Sequence, residues 1–323
     1  MLSYVARRLL YSVPALFVAT FGLFWAVRST FDPAAKFTAS RDPTALARFK
    51  AKWGLDDPIP TQYWRWLKNF LQGDWGISTA TNDNVSSMIW RSFGVTLQLI
   101  IWGMLFAAVV SMALGVFSAV RQYSAADYAL TGLSYVGIAV PPFVFGLLAI
   151  QVLGVMLKNW LGLDAPLFPF VGLHTGNSSG FNLDYLRHLV LPVLTLTVQI
   201  VASWSRFQRA AMLDVMSSDY VRTARAKGVP RRQVVLRHGF RNALIPLVTG
   251  FPAAFIGAFF AGSVLIETLF SLDGLGLLSY ESVIRRDYPV VFAILFVLTL
   301  IGLIAHLIRD LSYLWVDPRV KFD

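Results

Sequence analysis

The chain has 323 residues, of which 56% are hydrophobic and only 14% are charged, and its mean hydropathy is +0.59. Soluble domains carry roughly 25% charged residues, so this composition excludes an ordinary soluble protein. The net charge of +10 comes largely from residues 205–241, which hold nine Lys and Arg against two Asp. A short basic loop is first a topology signal in a membrane protein, and no basic-aromatic repeat accompanies it. Nucleic acid is therefore not an expected partner.

Six apolar stretches follow one another along the chain, and a helix needs about 20 apolar residues to cross the bilayer core. They predict an all-α membrane protein with six transmembrane helices. Arg7 and Arg8 precede the first stretch, and the most basic loop follows the fourth, so the positive-inside rule places the N- and C-termini in the cytoplasm. The predicted spans are Leu9–Val27, Ser92–Val120, Tyr128–Leu157, Leu189–Ser205, Asn242–Ile266 and Tyr288–Ile308.

These boundaries predict a first helix with a structured outer loop (1–92), a five-helix core (93–314) and a short cytoplasmic tail (315–323). The outer loop predicts two helices. One begins at Asp42-Pro43 and ends at Gly54, and the other follows Pro60 and ends at Gly73. They lie on the membrane interface, dock an external partner, or do both. Their apolar residues are Leu46, Phe49 and Trp53 in the first, and Tyr63, Trp64, Leu67, Phe70 and Leu71 in the second.

Known catalytic and ATP-binding patterns are absent from the sequence. There is no G-x-x-x-x-G-K-[ST] phosphate-binding loop, no H-E-x-x-H, no cysteine, and the four His residues lack metal-ligand spacing. The predicted spans contain no acidic residue near their middle, where proton relays place one. The chain is therefore not expected to be an enzyme, and a transporter built from it needs an external source of energy.

A few polar residues lie inside the fourth predicted span. Thr195, Thr197 and Gln199 are candidates for lining a substrate pathway. Their alternative role is to form hydrogen bonds between neighbouring helices within the membrane. Both interpretations stay open at the level of sequence.

Residues 217–246 predict an ordered elbow rather than a plain basic loop. Ser217, Ser218 and Asp219 offer N-cap oxygens for a short helix over residues 220–227. Gly228 stands where a left-handed residue ends such a helix, and Pro230 suits the first turn of the next one. Fixing topology needs the charges but not the caps or the Gly-x-Pro hinge. We therefore interpret the segment as a rigid lever on the cytoplasmic side.

The segment 220–228 resembles the EAA coupling motif of binding-protein-dependent ABC importer permeases, in the version found in the dipeptide/oligopeptide/nickel family. The motif's Glu and first Ala fall at Arg222 and Thr223, whereas its second Ala and its Gly are kept as Ala224 and Gly228. Further strings are similar to the B-type (first permease) subunit. They are Arg7-Arg8-Leu9-Leu10 with Pro14, Leu55-Asp56-Asp57-Pro58, residues 73–78, residues 267–271, Gly274-Leu275-Gly276, residues 286–289 and Asp317-Pro318-Arg319.

The resemblance implies a type I ABC importer permease fold and a multi-pass subunit in the cell membrane of a prokaryote. It implies ATP-driven import of peptides, with ATP and Mg²⁺ used by cytoplasmic ATP-binding subunits and no cofactor bound by this chain. The other implied partners are a second, C-type permease subunit, an extracytoplasmic peptide-binding protein and membrane lipid. Within the same family, nickel, glutathione or another small solute is an alternative substrate. Outside it, the alternative is a self-contained secondary transporter.

The resemblance also implies which residues couple the chain to an ATPase. The loop of about 206–242 contains them, and its most basic part provides peripheral contacts. The implied coupling residues are Tyr220, Arg222, Thr223, Ala224, Arg225, Ala226, Lys227 and Gly228, with Arg231 and Arg232 at the periphery.

Overall fold

The computed structural model describes residues 2–30, 44, 47, 50, 51, 54–176, 178–259 and 263–316. Within these residues the chain is helical, with one isolated antiparallel β-bridge between Ile77 and Asn84. The α-helices are α1 Leu2–Thr30, α2 Ile59–Leu71, α3 Val85–Val120, α4 Ala125–Ala139, α5 Pro142–Ala149, α6 Leu157–Leu161, α7 Leu183–Ser217, α8 Asp219–Ala226, α9 Arg231–Gln233, α10 Arg241–Ala243, α11 Ile245–Gly257, α12 Ser263–Phe270, α13 Leu275–Ile284 and α14 Tyr288–Val316. The described chain also contains the π-helical segments Ile150–Met156 and Val234–Phe240.

Five helical segments of the described chain are long and apolar enough to cross a membrane. A sixth span results if the bent pair Arg231–Ala243 and Leu247–Gly257, which meet at 51°, is counted as one. The prediction of six spans therefore agrees with the structure when this bent pair is counted as one span. The five continuous segments are Leu10–Thr30, Val85–Val120, Pro142–Leu161, Leu183–Ser217 and Tyr288–Ile308.

The third predicted span is wrong in one respect, because residues 128–157 do not form one helix. Helix α4 ends at Ala139, the next residue Val140 has an extended backbone (ψ 122°), and α5 begins at Pro142. Proline has no N–H to donate, and the residue before a proline is disfavoured in the helical conformation. The consecutive Pro141 and Pro142 therefore divide the stretch. The segment long enough to span is Pro142–Leu161, which includes the first π-helix.

The chain divides into two compact units. One contains the chain through Phe93 together with Leu278–Leu307, and the other contains Gly94–Leu277 and continues from Ile308. Helices α3, α13 and α14 contribute residues to both units. We describe the two units separately.

In the first unit, the outer-loop helix α2 packs against α1. The hydroxyls of Thr20 and Tyr63 lie 2.8 Å apart, Arg28 Nε donates to Gln62 Oε1 at 2.9 Å, and the ring of Phe24 contacts that of Tyr63. The predicted second helix is confirmed, with Gly73 at φ +89° beyond its end. Its inward face differs from the prediction. Trp66 is buried, whereas Trp64 and Leu71, which the sequence grouped with the apolar face, are more than half exposed.

The predicted first outer helix lies mostly outside the described residues. Its apolar positions Leu46, Phe49 and Trp53, and its start at Asp42-Pro43, are among those left undescribed. The described residues 44, 47, 50 and 51 are helical, and Gly54 has φ +57°, the left-handed conformation expected of a residue that ends a helix.

A buried aspartate fixes the end of the outer loop within the first unit. The Asp287 carboxylate, which is 2% exposed, accepts hydrogen bonds from the Ser78 hydroxyl, from the Thr79 N–H at 3.0 Å and from the Ala80 N–H at 3.3 Å. Asp287 immediately precedes α14. These bonds hold residues 78–80 beside the start of that helix.

Candidate functional site

The predicted elbow begins with helix α8, and its N-terminus is built differently from the prediction. Ser218 occupies the N-cap position but its hydroxyl makes no cap bond. Instead, it donates to the Val215 carbonyl at 2.5 Å, and the Ser217 hydroxyl donates to the Asp214 carbonyl at 2.7 Å. Both hydroxyls therefore satisfy carbonyls at the end of α7. Asp219, in the first turn of α8, supplies the negative charge that a helix N-terminus favours.

The end of α8 agrees with the prediction. Gly228 has φ +76°, its N–H donates to the Arg225 carbonyl at 3.0 Å, and the Val229 N–H donates to the Ala224 carbonyl at 3.2 Å. These two bonds form a Schellman motif, which needs a left-handed residue at this position. No atom lies within 4 Å of the place where a Cβ of residue 228 would stand. The backbone conformation, and not the available space, therefore requires glycine here.

Beyond the glycine, the chain turns into a second helical segment. Pro230 (φ −55°, ψ 139°) is the N-cap residue of α9, which runs into the π-helix Val234–Phe240 and then α10. The prediction that a helix starts at Pro230 is confirmed to within one residue. The prediction did not foresee the π-helical turn, whose wider hydrogen bonding is frequent at functional sites.

The inner face of the elbow is packed against the long helices. Val221 is fully buried and Ala224 is 8% exposed, and α8 contacts both α7 and the π-helix 234–240. Asn242 Nδ2 donates to Tyr220 Oη at 2.9 Å, which joins α8 to α10. Beneath them lies a core cluster from four elements, formed by Ala119 of α3, Met212 of α7, Val235 and Ala243. The elbow is therefore packed against α7 through α8, and against α3 through Val235 and Ala243.

The outer face of the elbow is exposed and cationic. The Arg222 side chain is 70% exposed and lies 3.6 Å from Asp219, its ion-pair partner. Ala224 differs from the other coupling candidates because it is buried, so its contribution is to packing. The exposed candidates are Tyr220, Arg222, Thr223, Arg225, Ala226, Lys227, Gly228, Arg231 and Arg232.

The three pathway candidates lie in contacts within and between helices. Thr195 and Thr197 are fully buried, and their hydroxyls donate to the carbonyls four residues earlier in α7, at 2.8 and 2.7 Å. Gln199 Nε2 donates to the carbonyls of Ile138 and Val140, both at 3.2 Å. The glutamine thus satisfies carbonyls exposed by the Pro141-Pro142 break. Only Gln199 forms the bonds between neighbouring helices that the alternative expects, whereas the hydroxyls of Thr195 and Thr197 bond carbonyls of α7 itself.

An ion pair beside the elbow was not foreseen from the sequence. The Arg209 guanidinium donates two hydrogen bonds of 2.7 Å to the Asp127 carboxylate, which is 2% exposed. Ser118 and the Tyr123 N–H also donate to it. The bonds from Arg209 hold the pKa of the Asp127 carboxyl well below its ordinary value. The pair joins α3, α4 and α7. Its one local signal was the Ser124-x-x-Asp127 spacing of a helix N-terminus.

A second buried acid, Glu267, was also missed, because it follows the end of the fifth predicted span and no local pattern marks it as buried. Its carboxylate is fully buried and accepts from the Thr96 hydroxyl at 2.6 Å and from the Leu277 N–H at 2.9 Å. The Thr96 oxygen also accepts from the Leu275 N–H at 2.8 Å. A Cβ at Gly274 would lie 2.2 Å from the Glu267 carboxyl carbon. The turn between α12 and α13 therefore wraps around this carboxylate and is bonded through it to α3.

No group of three or more metal-ligating side chains is arranged to hold an ion within the described ranges. The side chains that the structure brings together at the elbow are instead cationic, polar and small. This arrangement fits a surface that binds another protein.

Comparison with family models covers nearly the whole chain. Residues 111–322 match the model "Binding-protein-dependent transport system inner membrane component". Residues 1–100 match the N-terminal model of the same transport-system membrane components. The first match contains the elbow and the second contains α1, α2 and the outer loop.

Curated relatives align over most or all of their length. The oligopeptide transport system permease protein AppB of Bacillus subtilis is 38% identical over 327 residues, covering all of both chains. The glutathione transport system permease protein GsiC of Escherichia coli K12 is 36% identical over 324 residues, again covering both chains completely. The peptidoglycan transport system permease protein YejB of Agrobacterium fabrum is 38% identical, covering 87% of this chain and 77% of the relative.

Among solved structures, the MetNI methionine ABC transporter in inward-facing conformations resembles the chain with a TM-score of 0.54. The match covers 72% of this chain and 97% of that chain at 17% identity, so it bears on the fold alone. The fold is that of a type I ABC importer permease, a non-catalytic subunit of the bacterial inner membrane. The chain belongs to the family of binding-protein-dependent transport system inner membrane components, the permeases of ABC importers.

Proposed function

We propose that the chain is the B-type permease subunit of an ATP-driven peptide importer, and that the elbow couples ATPase closure to the opening of a translocation pathway. The observation that carries this proposal is the two-faced construction of α8. Its inner face packs against α7 and the π-helix, and its outer face is exposed and cationic. A helix of eight residues with this construction is suited to receive force from a partner and pass it to the spans.

In this mechanism, cytoplasmic ATP-binding subunits bind ATP and Mg²⁺, and this chain binds neither. Closure of the ATPase pair displaces α8, whose Schellman end at Gly228 keeps it at a fixed angle to α9. The displacement passes through Val221 to α7 and through the Tyr220–Asn242 hydrogen bond to α10. A second, C-type permease completes the pathway, and the two subunits alternate between inward and outward access. The positive-inside rule supports cytoplasmic placement of the elbow and of both termini.

The proposed substrates are peptides. Support comes from the names of full-length relatives at 36–38% identity, which are oligopeptide and glutathione permeases. Nickel or another small solute is the alternative within the family. An extracytoplasmic peptide-binding protein delivers the substrate to the outer face, where α2 and the loop held by Asp287 provide ordered surface. Selection among substrates then rests largely with that protein.

The coupling role is tested with Gly228→Asp in the complete transporter reconstituted in liposomes. A β-carbon is disfavoured in the left-handed conformation that Gly228 adopts, so the end of α8 is expected to reorganise. We expect transport to fall at least tenfold while the chain still inserts and co-purifies with its permease partner. Gly162→Asp is the matched control, because Gly162 also has a positive φ (+63°) and no atom within 4 Å of a Cβ. Wild-type uptake by the Gly228 variant would contradict the coupling model.

A further inference from the structure

We propose that a groove between α3, α4 and α7 binds one anionic phospholipid, with an acyl chain inside the groove and the phosphate at Arg206. The groove is a cavity of about 280 Å³ within the second unit. The proposal rests on the chain being a membrane-embedded permease and does not depend on which substrate it transports. It identifies a lipid ligand, which is distinct from the elbow and from its protein partners.

The groove runs along the helices. On α7 its lining extends from Leu194 to Arg209, which at 1.5 Å per residue is about 22 Å. A groove of that length suits an extended hydrocarbon chain.

The lining changes from apolar to polar along the groove. At one end it is formed by Phe106, Phe145 and Leu194. At the other end, hydroxyl groups and arginines replace them, as Ser118 of α3 and Ser205 of α7 lie near the level of Arg209. A ligand that is apolar along its length and polar at one end matches this gradient. The polar end adjoins the elbow and so corresponds to the cytoplasmic leaflet in the proposed orientation.

The polar end carries one positive charge that no acid neutralises. Arg209 is paired with Asp127. Arg206 is exposed, its guanidinium carbon lies 4.3 Å from the centroid of the Tyr135 ring, and it donates to Tyr135 Oη at 3.3 Å. Among the described residues, Arg206 forms no ion pair. An arginine held on an aromatic ring at the membrane surface is well placed to receive a lipid phosphate.

The test measures lipid retention by native mass spectrometry. The protein is purified together with its co-purifying subunits and placed in nanodiscs of phosphatidylcholine containing a minor fraction of phosphatidylglycerol. Arg206→Gln removes the head-group charge, and Val201→Trp fills the groove. Arg187→Gln is the matched control, because Arg187 is an exposed arginine at the opposite end of α7.

We expect wild type and Arg187→Gln to retain one phosphatidylglycerol per copy of this chain. Arg206→Gln should bind it about fivefold more weakly, as expected for one basic residue at an anionic surface, and Val201→Trp should lose it. Equal retention by wild type and Arg206→Gln would overturn the proposal. So would the absence of phosphatidylglycerol from wild type, including a result in which a photo-cross-linker introduced in place of Val201 captures the second permease instead. If the filled variant does not fold, the surface change at Arg206 decides the question alone.

Discussion

At the scale of single residues, three buried carboxylates each hold a turn in place. Asp127, Glu267 and Asp287 are at most 2% exposed, and each accepts hydrogen bonds from at least one backbone N–H. Unpaired buried carboxylates are very costly, so each of these sites depends on its full set of donors. Variants at Asp127 and at Thr96, which is a hydrogen-bond partner of Glu267, test this dependence.

Replacing Asp127 with Asn removes the counter-charge of Arg209, which is 26% exposed. We expect the free energy of unfolding to fall by about 2 kcal/mol, in the range for hydrogen bonds to charged groups. Thermal unfolding in detergent measures the loss, with Asp214→Asn, an exposed acid on α7, as the control.

Because the folded-state pKa of Asp127 lies below its ordinary value, the advantage of wild type over Asp127→Asn in unfolding free energy should be constant near neutral pH. It should shrink only as the pH falls below about 4. An advantage lost already between pH 8 and 6 would contradict this account.

Replacing Thr96 with Val deprives Glu267 of a donor and the Leu275 N–H of its acceptor. Leaving buried polar groups unsatisfied costs about 1–3 kcal/mol each. We therefore expect Thr96→Val to lower the unfolding midpoint clearly, whereas Thr96→Ser, which keeps the hydroxyl, should lose less than half as much. A loss in Thr96→Ser as large as that in Thr96→Val would contradict this account, because Thr96→Ser removes only the methyl group and keeps the hydrogen-bonding hydroxyl.

At the scale of elements, the glycine and proline signals were read correctly, whereas the N-cap of α8 and the distant partners were not. Gly228, Gly73 and Pro230 act within a few residues of themselves, so their sequence neighbourhood was enough to predict where helices end and begin. The donors to the buried acids lie far away along the chain, with Thr96 171 residues from Glu267 and Arg209 82 residues from Asp127. Without the fold, nothing in the sequence pairs them.

The break between α4 and α5 shows how such a distant partner compensates for a local defect. Pro141 and Pro142 interrupt the helix, and Gln199 of α7 bonds the carbonyls at the end of α4. We expect Gln199→Met, which keeps the length but not the donors, to destabilise the protein by about 1 kcal/mol. Gln151→Met provides the control, because Gln151 is exposed and makes no side-chain hydrogen bond within the described residues. Unfolding midpoints that do not differ between the two variants would contradict this role.

At the scale of the whole molecule, composition and hydrophobic stretches were enough to predict a six-span helical membrane protein. They were not enough to predict how the third stretch divides, which Pro141 and Pro142 determine locally. Nor were they enough to predict that Glu267 and Asp287 are buried, because this depends on packing between helices. The elbow has both local features, which the sequence predicts, and tertiary features, which it does not. Its helix and turn are local and were predicted, but its attachment to α3, α7 and α10 is tertiary.

The central claim is that this chain works as a permease driven by ATP-binding subunits. The most direct test is gentle detergent purification of the chain from its native membrane, with mass identification of every protein that accompanies it. The account predicts recovery of a second permease and of ATP-binding subunits. Repeated recovery of this chain alone, folded and able to transport without ATP, would contradict it.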